Sequence, residues 1–296
     1  MHRLSGSRSI VSALIALFFL SDFAGAQEPV FRTTAERVTV AVVARNRDGR
    51  PVPGLLSRDF ELFDDGQSRE ILDFRNDAGP ISLAFLLDSS GSMHIGGKLE
   101  RAREVAHFVL GSMDEGTDEA ALFVFDKRVR PIQPFTSDFP KIKASFASIH
   151  PWGVTSLYDA IAETAQQLAQ RPGRRAIVVL TDGVDTSSRM TSQEVSGIAS
   201  SIDMPVYVVA VDTAAIKTGD LSNLAQWSGG TFYGISRTAD SSLIARQVIN
   251  ELRHQYLLAF EPSSSAGWHR IEVRSRQRVA LQSRSGYWTG RPEIGR

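Results

Sequence analysis

The segment Ile81-Ser82-Leu83-Ala84-Phe85-Leu86-Leu87 limits what this chain can fold into more than any other, because only Ser82 interrupts its apolar run. A strand with one face in water alternates apolar and polar side chains, whereas a strand covered on both faces need not alternate. Residues 176–180 and 206–211 repeat the pattern, and 120–125 and 231–235 read as further strands. Between them, Leu99, Ala102, Val105, Ala106 and Val109, and then Leu157, Ala160, Ile161, Ala165 and Leu168, recur at helical spacing. Helical segments are also expected at 192–201, 219–227 and 241–254, and a hairpin partner for 120–125 at 129–135. The alternation predicts an α/β fold over residues 80–254: a doubly wound, mainly parallel sheet with helices on both faces. Its ligands should sit at the carboxyl ends of the strands.

The flanks read differently. Residues 37–74 are short and β-like, with turns at Asp48-Gly49 and Asp64-Asp65-Gly66, and the tail returns to strands at 256–260, 268–274 and 279–283. Neither flank carries enough apolar residues for a core of its own. The expectation is that 27–79 and 255–296 pack together as one small β layer beside the α/β domain. At the amino terminus, Arg3 and Arg8 precede an apolar run at 10–20, and Ala24-Gly25-Ala26 supplies a small-x-small cleavage pattern. A run of that length falls short of the roughly 20 residues needed to span a bilayer. Residues 1–26 are therefore expected to be a signal peptide, and the mature chain to be exported, periplasmic or secreted, without a membrane span.

Charge and cysteine content narrow the function classes. Lys and Arg number 33 against 33 Asp and Glu, with no basic run of five, so nothing pulls the chain toward nucleic acid. With no Cys there is no disulfide, thiolate metal site or cysteine nucleophile.

Three segments stand where a doubly wound sheet presents its ligands. Asp88-Ser89-Ser90-Gly91-Ser92 follows the strand at 81–87, Gly153-Val154-Thr155-Ser156 precedes a helix, and Thr181-Asp182-Gly183 follows the strand at 176–180. Each alone reads as a turn or a helix cap. Together they offer three hydroxyls (Ser90, Ser92, Thr155) and two carboxylates (Asp88, Asp182), an all-oxygen set suited to a hard cation, Mg²⁺ before Ca²⁺. Mn²⁺ is the other candidate ion.

Residues 85–93, 153–160 and 179–183 resemble the three parts of the metal-ion-dependent adhesion site of von Willebrand factor type A domains, and the resemblance runs over residues 81–253. The flanks, with Gly54-Leu55, Asp59-Phe60, Asp64-Asp65-Gly66 and Gly286-Tyr287-Trp288, are similar to a bacterial exported subfamily described as VWFA-related. The resemblance implies that Ser90 and Ser92 bind the metal directly, that Thr155 does so in the ligand-competent state, and that Asp88 and Asp182 act largely through water. Val154 departs from the family, which often has a second glycine there. A dication held mainly by hydroxyls and water keeps much of its charge, so an Asp or Glu of a protein partner would be a favoured further ligand.

The expected function is thus a non-enzymatic, adhesion-type binding module. Two alternatives stand beside it: a structural or assembly protein whose metal only stiffens the loops, and a metal-dependent hydrolase. The first motif is not the G-x-S-x-G elbow, and the position two after Asp88 is a serine rather than an acid. Only Asp159, Asp185 and His94 stand near enough in sequence to act as a base. His107, His150, His254 and His269 show no zinc-type spacing.

Overall fold

The computed structural model describes residues 37–77, 79–151, 153, 155–183, 188, 204–211, 218–235 and 240–289. The expected signal at 1–26, the expected helix at 192–201, and Val154 and Asp185 lie outside the described residues. Four short strands come first: β1 (Val38–Arg45), β2 (Phe60–Asp64), β3 (Gln67–Arg69) and β4 (Asp73–Arg75). The α/β region follows with β5 (Ile81–Asp88), α1 (Lys98–Gly111), β6 (Glu119–Phe125), β7 (Val129–Thr136), α2 (Phe139–Ala147), α3 (Leu157–Leu168), β8 (Arg174–Thr181), β9 (Val206–Val211), α4 (Thr218–Trp227), β10 (Phe232–Ile235) and α5 (Ser241–Arg253). The chain then returns to strands, β11 (Tyr256–Phe260), β12 (Gly267–Ser275), β13 (Ala280–Ser283) and β14 (Gly286–Thr289).

The central sheet runs β10-β9-β8-β5-β6-β7. Every pairing in it is parallel except β6 with β7, so the sheet is mixed, with one antiparallel edge. That edge strand carries Pro131 and Pro134, which an outermost strand tolerates because it need not donate to a further neighbour. All eight residues of β5 are buried, and their side chains divide between two cores. Leu83, Phe85 and Leu87 pack with Val105 and Val109 of α1, Phe146 of α2 and Val248 of α5. Ala84 and Leu86 pack on the other face with Leu157, Ile161 and Leu168 of α3 and Leu224 of α4. A continuous apolar run is thus a two-faced strand, and each fully buried Leu or Phe contributes roughly 1.5–3 kcal/mol. The exception proves local: Ser82 Oγ lies 2.7 Å from Glu119 Oε1 and 2.9 Å from the Pro172 carbonyl.

Strands from both ends of the chain share two further sheets, β13-β1-β11-β4 and β14-β12-β2-β3. β1 pairs antiparallel with β11, Val38 opposite Phe260 and Val42 opposite Tyr256, while β2 pairs with β12, Leu62 opposite Val273. Val40, Val42, Phe60, Leu62, Tyr256, Leu258 and Phe260 fill the space between them. The two chain ends do share their strands as expected, but in two sheets facing each other rather than one single-sheet layer, because each sheet needs the other to cover its apolar face. This β layer is tied to the α/β region by the Arg45–Glu251 ion pair at 2.6 Å and by Arg174 Nη1 donating to the Gln255 carbonyl at 2.7 Å. Among the described residues no helix is long and apolar enough to cross a membrane.

Candidate metal site

β5 and β8 run side by side, Leu87 opposite Leu180, so Asp88 and Thr181 leave the sheet at the same level. Thr181 Oγ1 donates to Asp88 Oδ2 at 2.7 Å, and the Ser90 amide donates to Asp88 Oδ1 at 2.9 Å. The Asp88 carboxylate is therefore pinned between the first and third segments, with none of its surface exposed. Burial pushes its carboxyl group up to about 6; the hydrogen bonds from Thr181 and Ser90 pull the other way, and Asp182 adds to the rise.

The loop after Asp88 is anchored on β6, since the Ser89 amide and hydroxyl both reach the Phe125 carbonyl, at 2.8 and 2.9 Å. It then sets Ser90 Oγ and Ser92 Oγ 3.0 Å apart. The second segment docks on the same loop through the Gly91 amide, which donates to the Gly153 carbonyl at 3.2 Å. Gly153 has φ +110°, and a Cβ there would lie 3.2 Å from Asp126 Cβ, so this approach needs glycine. The Ser156 amide donates to the Asp126 carbonyl at 2.8 Å, holding buried Thr155 between the docked Gly153 and the start of α3.

Asp182 follows Thr181 directly and is only 2% exposed. Its Oδ2 accepts from Lys98 Nζ at 2.9 Å, and its Oδ1 is buried with no hydrogen-bond partner among the described residues. Asp88, Ser90 and Ser92 are thus joined directly, Thr155 is carried in by its loop, and Asp182 by its neighbour Thr181. His94 is exposed, and Asp159 is half-buried in the first turn of α3. Sequence reasoning missed Lys98, whose ammonium reaches Asp182. A signal existed, because Lys98 occupies the first position of α1, where the helix dipole disfavours a cation.

The residues present fit a hard dication: every donor is oxygen, two hydroxyl oxygens lie side by side, and one buried carboxylate oxygen lacks a donor. A second group that could hold a metal ion, Asp64, Asp65 and His269, lies in the β layer, with ligand atoms within 4.8 Å of one another. There the ring stands where a cation would. His269 Nδ1 faces Asp65 Oδ2 at 2.8 Å and Nε2 faces the Ser265 carbonyl at 2.9 Å and the Thr289 hydroxyl at 3.0 Å, so the ring is placed to donate from both nitrogens. Burial alone would lower the basicity of this ring; the hydrogen bonds to Asp65 and Ser265 outweigh it and hold its pKa above the ordinary value.

Residues 83–185 match the model of the von Willebrand factor type A domain. No curated protein matches the chain. Among solved structures, a von Willebrand factor type A protein from Catenulispora acidiphila superposes over 88% of this chain and 76% of its own at a TM-score of 0.53 and 13% identity. Proximal thread matrix protein 1 from the mussel byssus, with a zinc-occupied MIDAS motif, aligns over 64% of this chain and 49% of its own, TM-score 0.52, 17% identical. An aerotolerance-related membrane protein from Bacteroides fragilis covers 58% of this chain and 98% of its own, TM-score 0.50, 20% identical. These likenesses are of fold. The family match defines the class of the matched region: residues 83–185 carry a von Willebrand factor type A domain.

Proposed function

We propose that this domain is a metal-dependent protein-binding module in which Ser90, Ser92 and Thr155 hold Mg²⁺, with Asp88 and Asp182 behind them, to capture an Asp or Glu of a partner protein. The observation that carries the reading is the pairing of Ser90 Oγ with Ser92 Oγ at 3.0 Å beside the pinned Asp88 carboxylate. When bound, the ion supplies an electrophilic centre that a carboxylate can complete as a ligand. The serine and threonine hydroxyls are neutral donors, so they position without cancelling charge. Asp88, held by Thr181 and the Ser90 amide, keeps its orientation whether or not a partner is present. The mussel protein's zinc-occupied site supports a divalent ion in this class of domain; Mg²⁺ is chosen here for the hardness of the donors, with Mn²⁺ and Ca²⁺ as the substitutes to try.

A binding role is favoured over an enzymatic one because, of the bases weighed from the sequence, His94 is exposed and Asp159 is half-buried in the first turn of α3, and the first motif lacks the G-x-S-x-G elbow of a serine nucleophile. On this reading residues 1–26 are a cleaved export signal, and the module works in the periplasm or outside the cell.

The test is capture of partners from the exporting cell with the mature protein in Mg²⁺, in chelator, and with Asp182→Ala in Mg²⁺. A partner held in the first condition and lost in the other two supports metal-dependent binding. Equal capture in all three contradicts it, as does steady hydrolytic turnover that depends on Asp88.

A further inference from the structure

Lys98 sets a mostly buried cation against a carboxylate of this site. It opens α1 at the helix end where a positive charge is disfavoured, after Gly96 and Gly97, both with left-handed backbones at φ +69° and +70°. Its side chain is 13% exposed and reaches across from α1 to Asp182 Oδ2 at 2.9 Å, while the Asp182 side chain is 2% exposed. The neighbouring basic residue on the same turn, Arg101, turns away and donates to the Gly96 carbonyl at 2.9 Å.

We propose that Lys98 is a built-in counter-charge that trades affinity for the metal against affinity for the anion, and so sets how strongly the loaded site draws a carboxylate. The inference rests on the metal-site reading above. Among the described residues, the charged side chains hydrogen-bonded into the site are Asp88, Asp182 and Lys98, two negative and one positive. With Lys98 present, a bound dication leaves the cluster one unit positive, and an incoming carboxylate meets net attraction. Without Lys98 the two aspartates balance the dication, so the ion is held harder and the carboxylate is drawn less. In a buried setting such a charge acts at short range with little screening, which makes one unit decisive. The salt bridge also leaves Asp182 Oδ1, the oxygen without a donor, as the one still to be satisfied.

The experiment is a calorimetric titration of the mature protein with Mn²⁺ alone, for wild type, Lys98→Met, Lys98→Gln, the double variant Ser90→Ala, Ser92→Ala and the surface control Arg246→Met, each first shown to melt cooperatively. Acetate is then titrated into the Mn²⁺-loaded proteins, read by water-proton relaxation as carboxylate displaces water from the ion. Removing an opposing charge at this distance should tighten Mn²⁺ binding about tenfold or more in Lys98→Met and Lys98→Gln, weaken the acetate response, and leave Arg246→Met at wild type. If wild type binds Mn²⁺, the Ser90→Ala, Ser92→Ala variant does not, and the Lys98 variants bind no tighter than wild type, the counter-charge role is wrong and the metal site stands. If neither wild type nor the Lys98 variants bind Mn²⁺ at millimolar concentration, the metal-site reading falls and takes this inference with it. Tighter Mn²⁺ binding with an undiminished acetate response overturns the trade.

Discussion

Two acidic clusters in this molecule invite comparison, Asp88 with Asp182 at the carboxyl end of the central sheet and Asp64 with Asp65 in the β layer. Both combine a deeply buried aspartate with a second close by, yet they are completed differently. In the β layer His269, 3% exposed, sits against Asp65 and 3.8 Å from Asp64 Oδ1, its ring stacked on Tyr287 at 5.0 Å. Asp64 Oδ2 is further met by the Tyr287 hydroxyl, the Ser263 amide and Arg69. Asp64 Oδ1 lacks a hydrogen-bond partner among the described residues, as Asp182 Oδ1 does, but His269 and Arg69 both stand within 4 Å of this carboxylate. The cluster is thus charge-compensated by the protein's own cations and joins strands β2, β12 and β14. The sheet-end cluster is instead surrounded by neutral hydroxyls, with one lysine to share. Charge compensation from within makes a structural joint; incomplete compensation makes a place for something from outside.

The comparison can be broken from the β-layer side first. Replacing His269 by Ala leaves Asp64 a buried carboxylate short of a cation, and the expected loss in chemical unfolding is about 3 kcal/mol; Ser90→Ala with Ser92→Ala should cost far less in metal-free buffer, and similar losses for both would erase the distinction. Metal should reverse the order of interest. At a hundredfold excess over its dissociation constant, Mg²⁺ should stabilise wild type and His269→Ala alike by about 2.7 kcal/mol while leaving the double serine variant unmoved. Next in size, Tyr287→Phe removes a hydroxyl donating to Asp64 Oδ2 at 3.0 Å, a bond to a charged group that should cost about 2 kcal/mol.

The smallest effect is on pH dependence. Because the folded state raises the His269 pKa, the ion pair's contribution is complete below the ordinary imidazole value of 6.5 and fades as pH rises through the higher folded value. Wild type should therefore lose stability on going up through that window, and His269→Gln should lose less. Parallel pH profiles for the two would show that the ring is not held as a cation.

Which of these features could be read from the chain alone follows from how far apart the partners lie in it. The α/β fold was legible because β5 feeds two cores with alternate residues, which writes a run of seven positions that only Ser82 interrupts. The three oxygen-bearing segments were legible because each is contiguous and abuts a strand or helix end. Helix α2 was not, since Phe139, Ile142 and Phe146 are its only buried residues and make too short a stripe. Strands β3 and β14, three and four residues long, carry too little pattern to distinguish from turns. Lys98 and Asp182 are 84 positions apart, and Asp65 and His269 are 204 apart. No local spacing encodes such pairs: a lysine at a helix start stands out against the dipole but names no partner, and a lone histidine in a strand gave no motif to read.

The central claim is that the open cluster at the sheet end, rather than the closed one in the β layer, takes a divalent ion from solution. Calorimetric titration of Mn²⁺ into the mature protein tests it most directly, run on wild type, on Ser90→Ala with Ser92→Ala, and on His269→Ala. The account predicts one binding event in wild type and in His269→Ala, and none in the double serine variant. Binding that survives in the double serine variant and disappears with His269 would contradict it.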